Sequence, residues 1–254
     1  MGMLAIKNLK IGTGAPKIVV PLVGKTEGQI LQEAELVKTF KPDIVEWRAD
    51  LFDDVDDLDA VVAIVQKLHT IFEDELLLFT FRSHKEGGSK EIDEAYYKEM
   101  NQAVIRTGAV DLVDVELFSQ EQVLKAIVSE AKANDVSVIM SNHDFIQTPS
   151  KEEIIARLRK MLEYGADLPK IAVMPNSVED VLILLEATSM MKQESDAPIV
   201  TMSMGKFGLI SRISGELFGS ALTFGSVQAA SAPGQIPIDD LRAVLNIIHK
   251  NMKD

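Results

Sequence analysis

The sequence predicts a closed (β/α)₈ barrel, an α/β fold, and three observations carry that prediction. Apolar strand-like runs alternate with amphipathic helical stretches along almost the whole chain, an order that pairs strands in parallel through right-handed crossovers. Eight such units in 254 residues match the usual size of a closed barrel. The turn after the first strand reads VGKTEG, without the glycine fingerprint that an open doubly wound sheet more often carries there. A near match, GTGAPK at 12–17, precedes the first strand and is rejected on that ground.

Residues 3–12, MLAIKNLKIG, read as a short β-hairpin that plugs the N-terminal end of the barrel. The expected organisation is one domain over 1–254, with the hairpin in 1–15 and the barrel in 16–254, and no linker or low-complexity segment. The strand candidates, rich in β-branched and other apolar residues, are KIVVPLV (17–23), DIVEWRADL (43–51), ELLLFTFRS (75–83), AVDLVDVEL (109–117), VSVIMSNHD (136–144), DLPKIAVMP (167–175), APIVTMSMG (197–205) and ALTFGSV (221–227). Helical periodicity appears at 29–40, 60–72, 121–133, 152–164, 178–191 and 240–252. GLISRISGELFG (208–219) supplies the seventh helix, short and punctuated by glycine.

Composition narrows the class. Apolar residues make up 46% of the chain, enough for a sizeable core and too many for a disordered one. No apolar run approaches the roughly 20 residues that span a bilayer, and MGMLAIKNLK lacks a signal-peptide core. Without cysteine, disulfides and cysteine-bound metals are excluded. A cytoplasmic location is expected. The formal net charge of −13 argues against nucleic acid and anionic membrane as partners. A small anionic substrate remains compatible, since a few local arginines hold a carboxylate on an acidic protein.

Side chains two apart on a strand share a face, and that rule sorts five strands the same way. Ile44, Glu46, Arg48 and Asp50 oppose Val45, Trp47 and Ala49; Leu78, Thr80 and Arg82 oppose Leu77, Phe79 and Phe81. Leu112, Asp114 and Glu116 oppose Val113, Val115 and Leu117, Ile139 aligns with Ser141 and His143, and Lys170, Ala172 and Met174 oppose Ile171 and Val173. The apolar face suits packing against helices. The face bearing ionisable groups suits the lumen, whose C-terminal mouth is where barrel enzymes place their chemistry. Glu46, Arg48, Arg82, Asp114, Glu116, His143 and Lys170 are thus candidates for one convergent cluster, provided the strand register is right.

Lys170 stands in the apolar run PKIAVMP, where an ammonium is costly unless paired or neutralised. It is either a structural lysine paired with a carboxylate or a nucleophilic amine freed by desolvation and neighbouring cations such as Arg48 and Arg82, able to form a Schiff base with a ketone. His143 is either a hydrogen-bonded core histidine or a general acid/base. Glu86 is either a solvated loop carboxylate or the group that fixes the imidazole tautomer. Glu46 with Arg48, and Arg82 with Asp114 or Glu116, form internal ion pairs, bind substrate, or do both. His69, His84 and His249 read as surface residues. The acidic run DLFDDVDDLD (50–59) lacks the glycine of a calcium loop and reads as a solvated loop capping the next helix. The loops SMGKFGLISR (203–212) and GSVQAASAPGQIP (225–237) follow late strands, where barrel enzymes build anion sites or lids. Arg212 could there pair with a carboxylate, with Ser231 and Gln235 above it.

The ordered pieces EWRAD, FTFRSHKEGG, DVELF, MSNHDF, PKIAVMP, SRISGELFGSALTFG and SAPGQIP resemble the type I 3-dehydroquinate dehydratases, lyases of the shikimate pathway. The similarity runs from about IGTGAPK to the final helix. It implies a Schiff-base lysine at Lys170, a general acid/base at His143 and its supporting carboxylate at Glu86. It implies ring-hydroxyl contacts from Glu46, Arg48 and Arg82, a carboxylate-binding Arg212, and a closing loop carrying Ser231 and Gln235. Asp114, Glu116 and Met204 are expected to support the site. Pro21, in VVPLV, departs from the serine expected in close relatives and removes a hydroxyl contact. The implied reaction is dehydration of 3-dehydroquinate to 3-dehydroshikimate with no metal and no organic cofactor, by a homodimer. A class I aldolase would also use a barrel lysine but cleave carbon–carbon bonds, yielding no conjugated enone. A catalytically dead barrel would bind 3-dehydroquinate without consuming it.

Overall fold

The computed structural model describes residues 2–228 and 231–252. An antiparallel hairpin, β1 (Leu4–Ile6) and β2 (Leu9–Ile11), opens the fold. Eight parallel strands follow: β3 (Lys17–Leu22), β4 (Ile44–Arg48), β5 (Leu76–Thr80), β6 (Leu112–Glu116), β7 (Ser137–Asp144), β8 (Leu168–Val173), β9 (Val200–Ser203) and β10 (Leu222–Ser226). They are hydrogen-bonded in the order β10-β3-β4-β5-β6-β7-β8-β9, and the short β11 (Ile236–Pro237) adds to the outer side of β10. An Ile199–Ser220 bridge closes the remaining seam, with the Ala221 N–H donating to the Ile199 carbonyl at 2.8 Å. Closure leaves no free edge in the barrel wall, and the strand–helix alternation read from the sequence is borne out.

The helices are α1 (Glu27–Thr39), α2 (Leu58–Ile71), α3 (Glu94–Arg106), α4 (Glu121–Ala133), α5 (Lys151–Glu163), α6 (Val178–Glu194), α7 (Leu209–Ile213), α8 (Gly215–Phe218) and α9 (Ile238–Asn251). None among the described residues is long and apolar enough to cross a membrane. Their starts follow local chemistry. Thr26 and Gln29 form a capping box on α1, Ser177 and Asp180 another on α6, and Asp57 accepts from the Asp59 and Ala60 N–H groups at the head of α2. Two differences from the sequence expectation have simple causes. α3 was not among the helical stretches because its buried stripe of Tyr97, Met100, Asn101, Val104 and Ile105 contains a fully buried asparagine that blunts the apolar period. The stretch 208–219 forms two short helices meeting at Ser214, not one, and ends on Gly219 at φ 117°.

Two apolar layers flank the strands. Val45, Trp47, Leu77, Phe79, Val113, Val115, Ile171 and Val173 pack outward against the helices. Val19, Ile44, Leu78, Leu112, Ile139, Ala172 and Val200 pack inward. The inferred faces are therefore those the fold adopts. The fully buried Ile11 joins Ile44, Leu76, Leu112, Ile139 and Leu168 in the lumen floor, while Leu4, Ile6 and Leu9 pack beneath. The hairpin thus plugs the barrel, and a Lys7–Asp111 ion pair at 3.0 Å holds its turn. Truncating Ile11 to Ala should leave a cavity in that floor and lower the unfolding free energy by about 2–5 kcal/mol. Urea titration would show this as an earlier midpoint, and an unmoved midpoint would mean the hairpin lies outside the cooperative core.

Candidate active site

Parallel pairing sets the polar residues in rows at the C-terminal mouth. Arg48 is level with Thr80, Thr80 with Asp114, Glu116 with Ser141, and Ser141 with Lys170. Because these neighbours all face the lumen, their side chains converge without any loop having to deliver them.

Lys170 on β8 is only 3% exposed. Its Nζ donates to Asp114 Oδ2 at 3.1 Å and lies 4.7 Å from the centroid of the Phe224 ring. The carboxylate pairing that the sequence left open is therefore present, because β6 brings Asp114 into contact with the amine. Asp114 also binds Arg82 Nη2 at 2.7 Å and accepts from the Ser141 hydroxyl at 2.6 Å. Burial alone would raise its carboxyl, but Arg82, Lys170 and Ser141 outweigh burial and hold it below the usual carboxylate range. Arg82 Nη1 reaches Glu116 at 2.9 Å and Ser141 Oγ at 2.9 Å, and Glu86 at 3.6 Å. Both internal pairings considered for Arg82 are present together.

Glu86 comes from a short turn (84–86) after β5 and meets His143 at the end of β7. Its Oε2 accepts from the His143 main-chain N–H at 3.0 Å and sits 2.9 Å from Nδ1, while Oε1 accepts from Asn142 Nδ2 at 3.1 Å. Burial, then Arg82, Lys170 and Arg48, keep the imidazole well below its ordinary range. Burial, opposed by Arg82 and reinforced by Glu116, raises the Glu86 carboxyl to about 8. The two shifts run in opposite directions, so near neutrality the carboxyl of Glu86 and not the imidazole carries the extra proton. The glycine pair after Glu86 permits this approach. Gly87 has φ 84°, and a Cβ there would fall 2.3 Å from the Phe145 ring, while one at Gly88 would fall 1.8 Å from the Arg82 carbonyl. Phe145 in turn stacks on His143, with centroids 6.4 Å apart.

Arg48 pairs with Asp50, at 2.7 and 2.9 Å, instead of with Glu46. Residues 46 and 48 are spaced about 7 Å along one strand face, whereas Asp50 folds back on the helical turn 49–51. Asp50 is fully buried and also accepts from the Arg82 and Ser89 N–H groups, so the acidic run is not wholly solvated. Glu46 accepts from the Thr80 hydroxyl at 2.9 Å.

Arg212 on α7 is 2% exposed and, among the described residues, has no carboxylate within 4.0 Å. Nη2 donates to the Pro233 carbonyl at 2.9 Å and Nε has no partner. Burial lowers this guanidinium to about 10. A buried cation with no counter-ion among the described residues suits an anionic ligand electrostatically. Above it, Gln235 Nε2 donates to Ser231 Oγ and the Ser231 N–H donates to Gln235 Oε1, each at 3.0 Å. The Gly205 N–H donates to the Pro233 carbonyl at 3.1 Å, joining the two loops. Residues 229–230 of the second loop lie outside the described residues.

Glu46, Arg48, Arg82, Glu86, His143, Lys170, Met204, Arg212, Ser231 and Gln235 all line one cavity. Asp114 and Glu116 are buried behind it, where they hold Arg82 and Lys170. Pro21, level with Glu46 on the neighbouring strand, does not line it. Sequence reasoning passed over Phe224, Phe145, Asn142 and Asp50. The first three carry no lone signal beyond their strand positions, and Asp50 was legible from its face alone.

Two measurements follow from this geometry. Replacing Arg212 with Met removes an uncompensated buried charge and should stabilise the fold by about 1–3 kcal/mol while abolishing affinity for carboxylate ligands, read by denaturation and calorimetry. The raised Glu86 carboxyl contributes stability that is complete below about 4.5, its ordinary value, and is lost as pH rises through about 8. Unfolding free energy should therefore fall by about 1 kcal/mol between pH 7 and 9, and Glu86→Gln should flatten that slope.

Comparison with known proteins places the chain in a family. The family model for type I 3-dehydroquinase matches residues 18–252. The chain is 57% identical over 254 residues to the 3-dehydroquinate dehydratase of Bacillus subtilis (strain 168), covering 100% of both. A solved type I 3-dehydroquinate dehydratase from Clostridium difficile, bearing covalently modified comenic acid, superposes with TM-score 0.96 at 50% identity over 99% of this chain and 100% of that one. The 3-dehydroquinate dehydratase structure from Geobacillus kaustophilus gives TM-score 0.95 at 43% identity, over 98% and 96% of the two chains.

Proposed function

Because the chain belongs to the type I 3-dehydroquinase family and is a 3-dehydroquinate dehydratase, a hydro-lyase, we propose that it works through an imine formed on Lys170, with His143 as general acid/base. The observation that supports this most directly is that one cavity is lined by the buried Lys170 amine, the Glu86–His143 dyad and an Arg212 guanidinium with no internal counter-ion.

Arg212 takes the substrate carboxylate, which fixes one end of the ring. Arg48, Arg82 and Glu46 receive ring hydroxyls, and Ser231 with Gln235 closes over the ligand. Nζ of Lys170, unprotonated at the moment of attack, adds to the ketone. The carbonyl oxygen leaves as water and an iminium remains. Asp114, in contact with Nζ, supports the cation on that nitrogen. The imidazole of His143 removes the proton from the adjacent carbon, and the electron pair moves toward nitrogen to give an enamine. The enamine expels the ring hydroxyl, which receives that proton from His143 and departs as water. A second water hydrolyses the conjugated imine, freeing Lys170 and 3-dehydroshikimate. The balance is 3-dehydroquinate to 3-dehydroshikimate plus one water. A cytoplasmic homodimer is the setting the family resemblance implies; sedimentation at twice the chain mass is the expected result.

Borohydride added with 3-dehydroquinate should leave a reduced adduct on Lys170, located by mass spectrometry, and Lys170→Ala should lose turnover and adduct while keeping ligand affinity through Arg212. His143→Ala should still be trapped by borohydride but turn over about 10²–10⁴-fold more slowly. An unmodified Lys170 peptide, or full activity without the imidazole, would reject the mechanism.

A further inference from the structure

We propose that Arg157, which lies outside the substrate cavity, is a positioning residue that acts through the Asn142 side-chain amide to fix how Glu86 and His143 share their proton. This rests on His143 being the general acid/base.

Arg157 sits on α5 and lines a second cleft together with Asn142 and Phe118, and Glu86 and His143 line both this cleft and the substrate cavity. Its Nη1 donates to Asn142 Oδ1 at 2.8 Å, and the opposite end of that amide donates to Glu86 Oε1 at 3.1 Å. Glu86 Oε2 then meets His143 Nδ1 at 2.9 Å. A continuous chain therefore runs from the cleft to the imidazole. Asn142 lies between Ser141 and His143 on β7, so its side chain leaves on the opposite face from theirs. It is only 3% exposed, so water cannot easily replace a missing partner. Arg157 is itself held by Glu153, 2.6 Å from Nε, and by the Phe118 ring, 5.5 Å from its guanidinium carbon.

The chemistry of the donors sets the direction of the chain. A carboxamide has nearly the same shape with its oxygen and nitrogen exchanged, so shape alone does not choose which end meets Glu86. A guanidinium has donors and no acceptor. It must take the amide oxygen, and the NH₂ group is left for Glu86. Oε1 is thereby kept as an acceptor, and the dyad's proton is confined to the Oε2–Nδ1 side. Once Glu86 is ionised, as pH passes about 8, the shared proton rests on Nδ1 and the Nε2 lone pair is free to receive one from substrate. If Arg157 no longer holds the amide, Asn142 can turn its oxygen toward Oε1, an arrangement satisfied only by a protonated carboxyl. A neutral Glu86 then gives Nδ1 no anionic acceptor, and the tautomer with hydrogen on Nε2 becomes competitive.

The test is steady-state kinetics across pH with Arg157→Met and Arg157→Lys in the full chain. The methionine variant keeps the alkyl stem and loses every donor. Its kcat near neutrality should fall about tenfold with KM within about twofold, and the acidic limb of its kcat profile should move up by about one pH unit. Lysine, also a donor without an acceptor, should restore most of kcat and the original profile. Nitrogen-15 NMR of His143 just above pH 8, where Glu86 of the parent is ionised, should show Nδ1-protonated imidazole in the parent and a larger Nε2-protonated share in the methionine variant. A methionine profile superimposable on the parent, an equal loss in the lysine variant, or an unchanged tautomer would overturn the proposal. Borohydride trapping on Lys170 should persist in both variants, and its loss would also overturn it, by showing a general structural role. Failure of the acid/base assignment would appear separately, as full activity in His143→Ala.

Discussion

The buried carboxylate of Asp114 organises the mouth of this barrel. It has no exposed surface, yet its two oxygens receive Arg82, Lys170 and the Ser141 hydroxyl. Each of those groups would be expensive to bury alone, and Asp114 would be as well. Together they hold β5, β6, β7 and β8 to one another through side chains as well as through the backbone ladder. Removing one member of such a buried set leaves the others uncompensated, at about 3–5 kcal/mol. The position of the amine nitrogen is consequently inherited from the ion cluster and not from the flexibility of a lysine stem.

Charge is distributed unevenly around that cluster, and the unevenness is chemically useful. On one side of the cavity Arg48, Arg82 and Lys170 are outnumbered by Glu46, Asp50, Glu86, Asp114 and Glu116. Most of these carboxylates find a guanidinium or an N–H group. Glu86 is the one pushed upward in pKa, by burial first and then against its carboxylate neighbours, and it is the one that touches the imidazole. Arg212, by contrast, has no counter-ion among the described residues and is drawn toward neutrality by burial. The ligand-free fold bears that imbalance, and an anionic ligand would relieve it.

Glycine is used sparingly but where geometry demands it. The pair at 87–88 lets the loop after β5 turn back so that Glu86 points to His143, with the Phe145 ring and the Arg82 carbonyl filling the space that any Cβ would need. The Arg157–Asn142 link reaches the other oxygen of the same carboxylate, so both Glu86 oxygens are held. Few side chains in the mouth are left to choose their own rotamer.

Much of this was legible in the amino-acid order. Alternation of strand and helix periods set the closed barrel, and the period of two along DIVEWRADL, DLVDVEL and PKIAVMP assigned the charged residues to the lumen. The motifs SNHDF, KEGG and PKIA named His143, Glu86 and Lys170. Pairing partners were not legible. Arg48 turned to Asp50 and not to Glu46, Lys170 met Asp114 and Phe224, and Asn142 bridged Arg157 to Glu86, because each depends on strand register, on a turn folding back or on a contact between residues far apart in the chain. Local sequence determines which face a side chain takes, since that is a property of the strand. Only the closed tertiary structure decides what waits across the lumen, because that distance is set by how all eight strands pack at once.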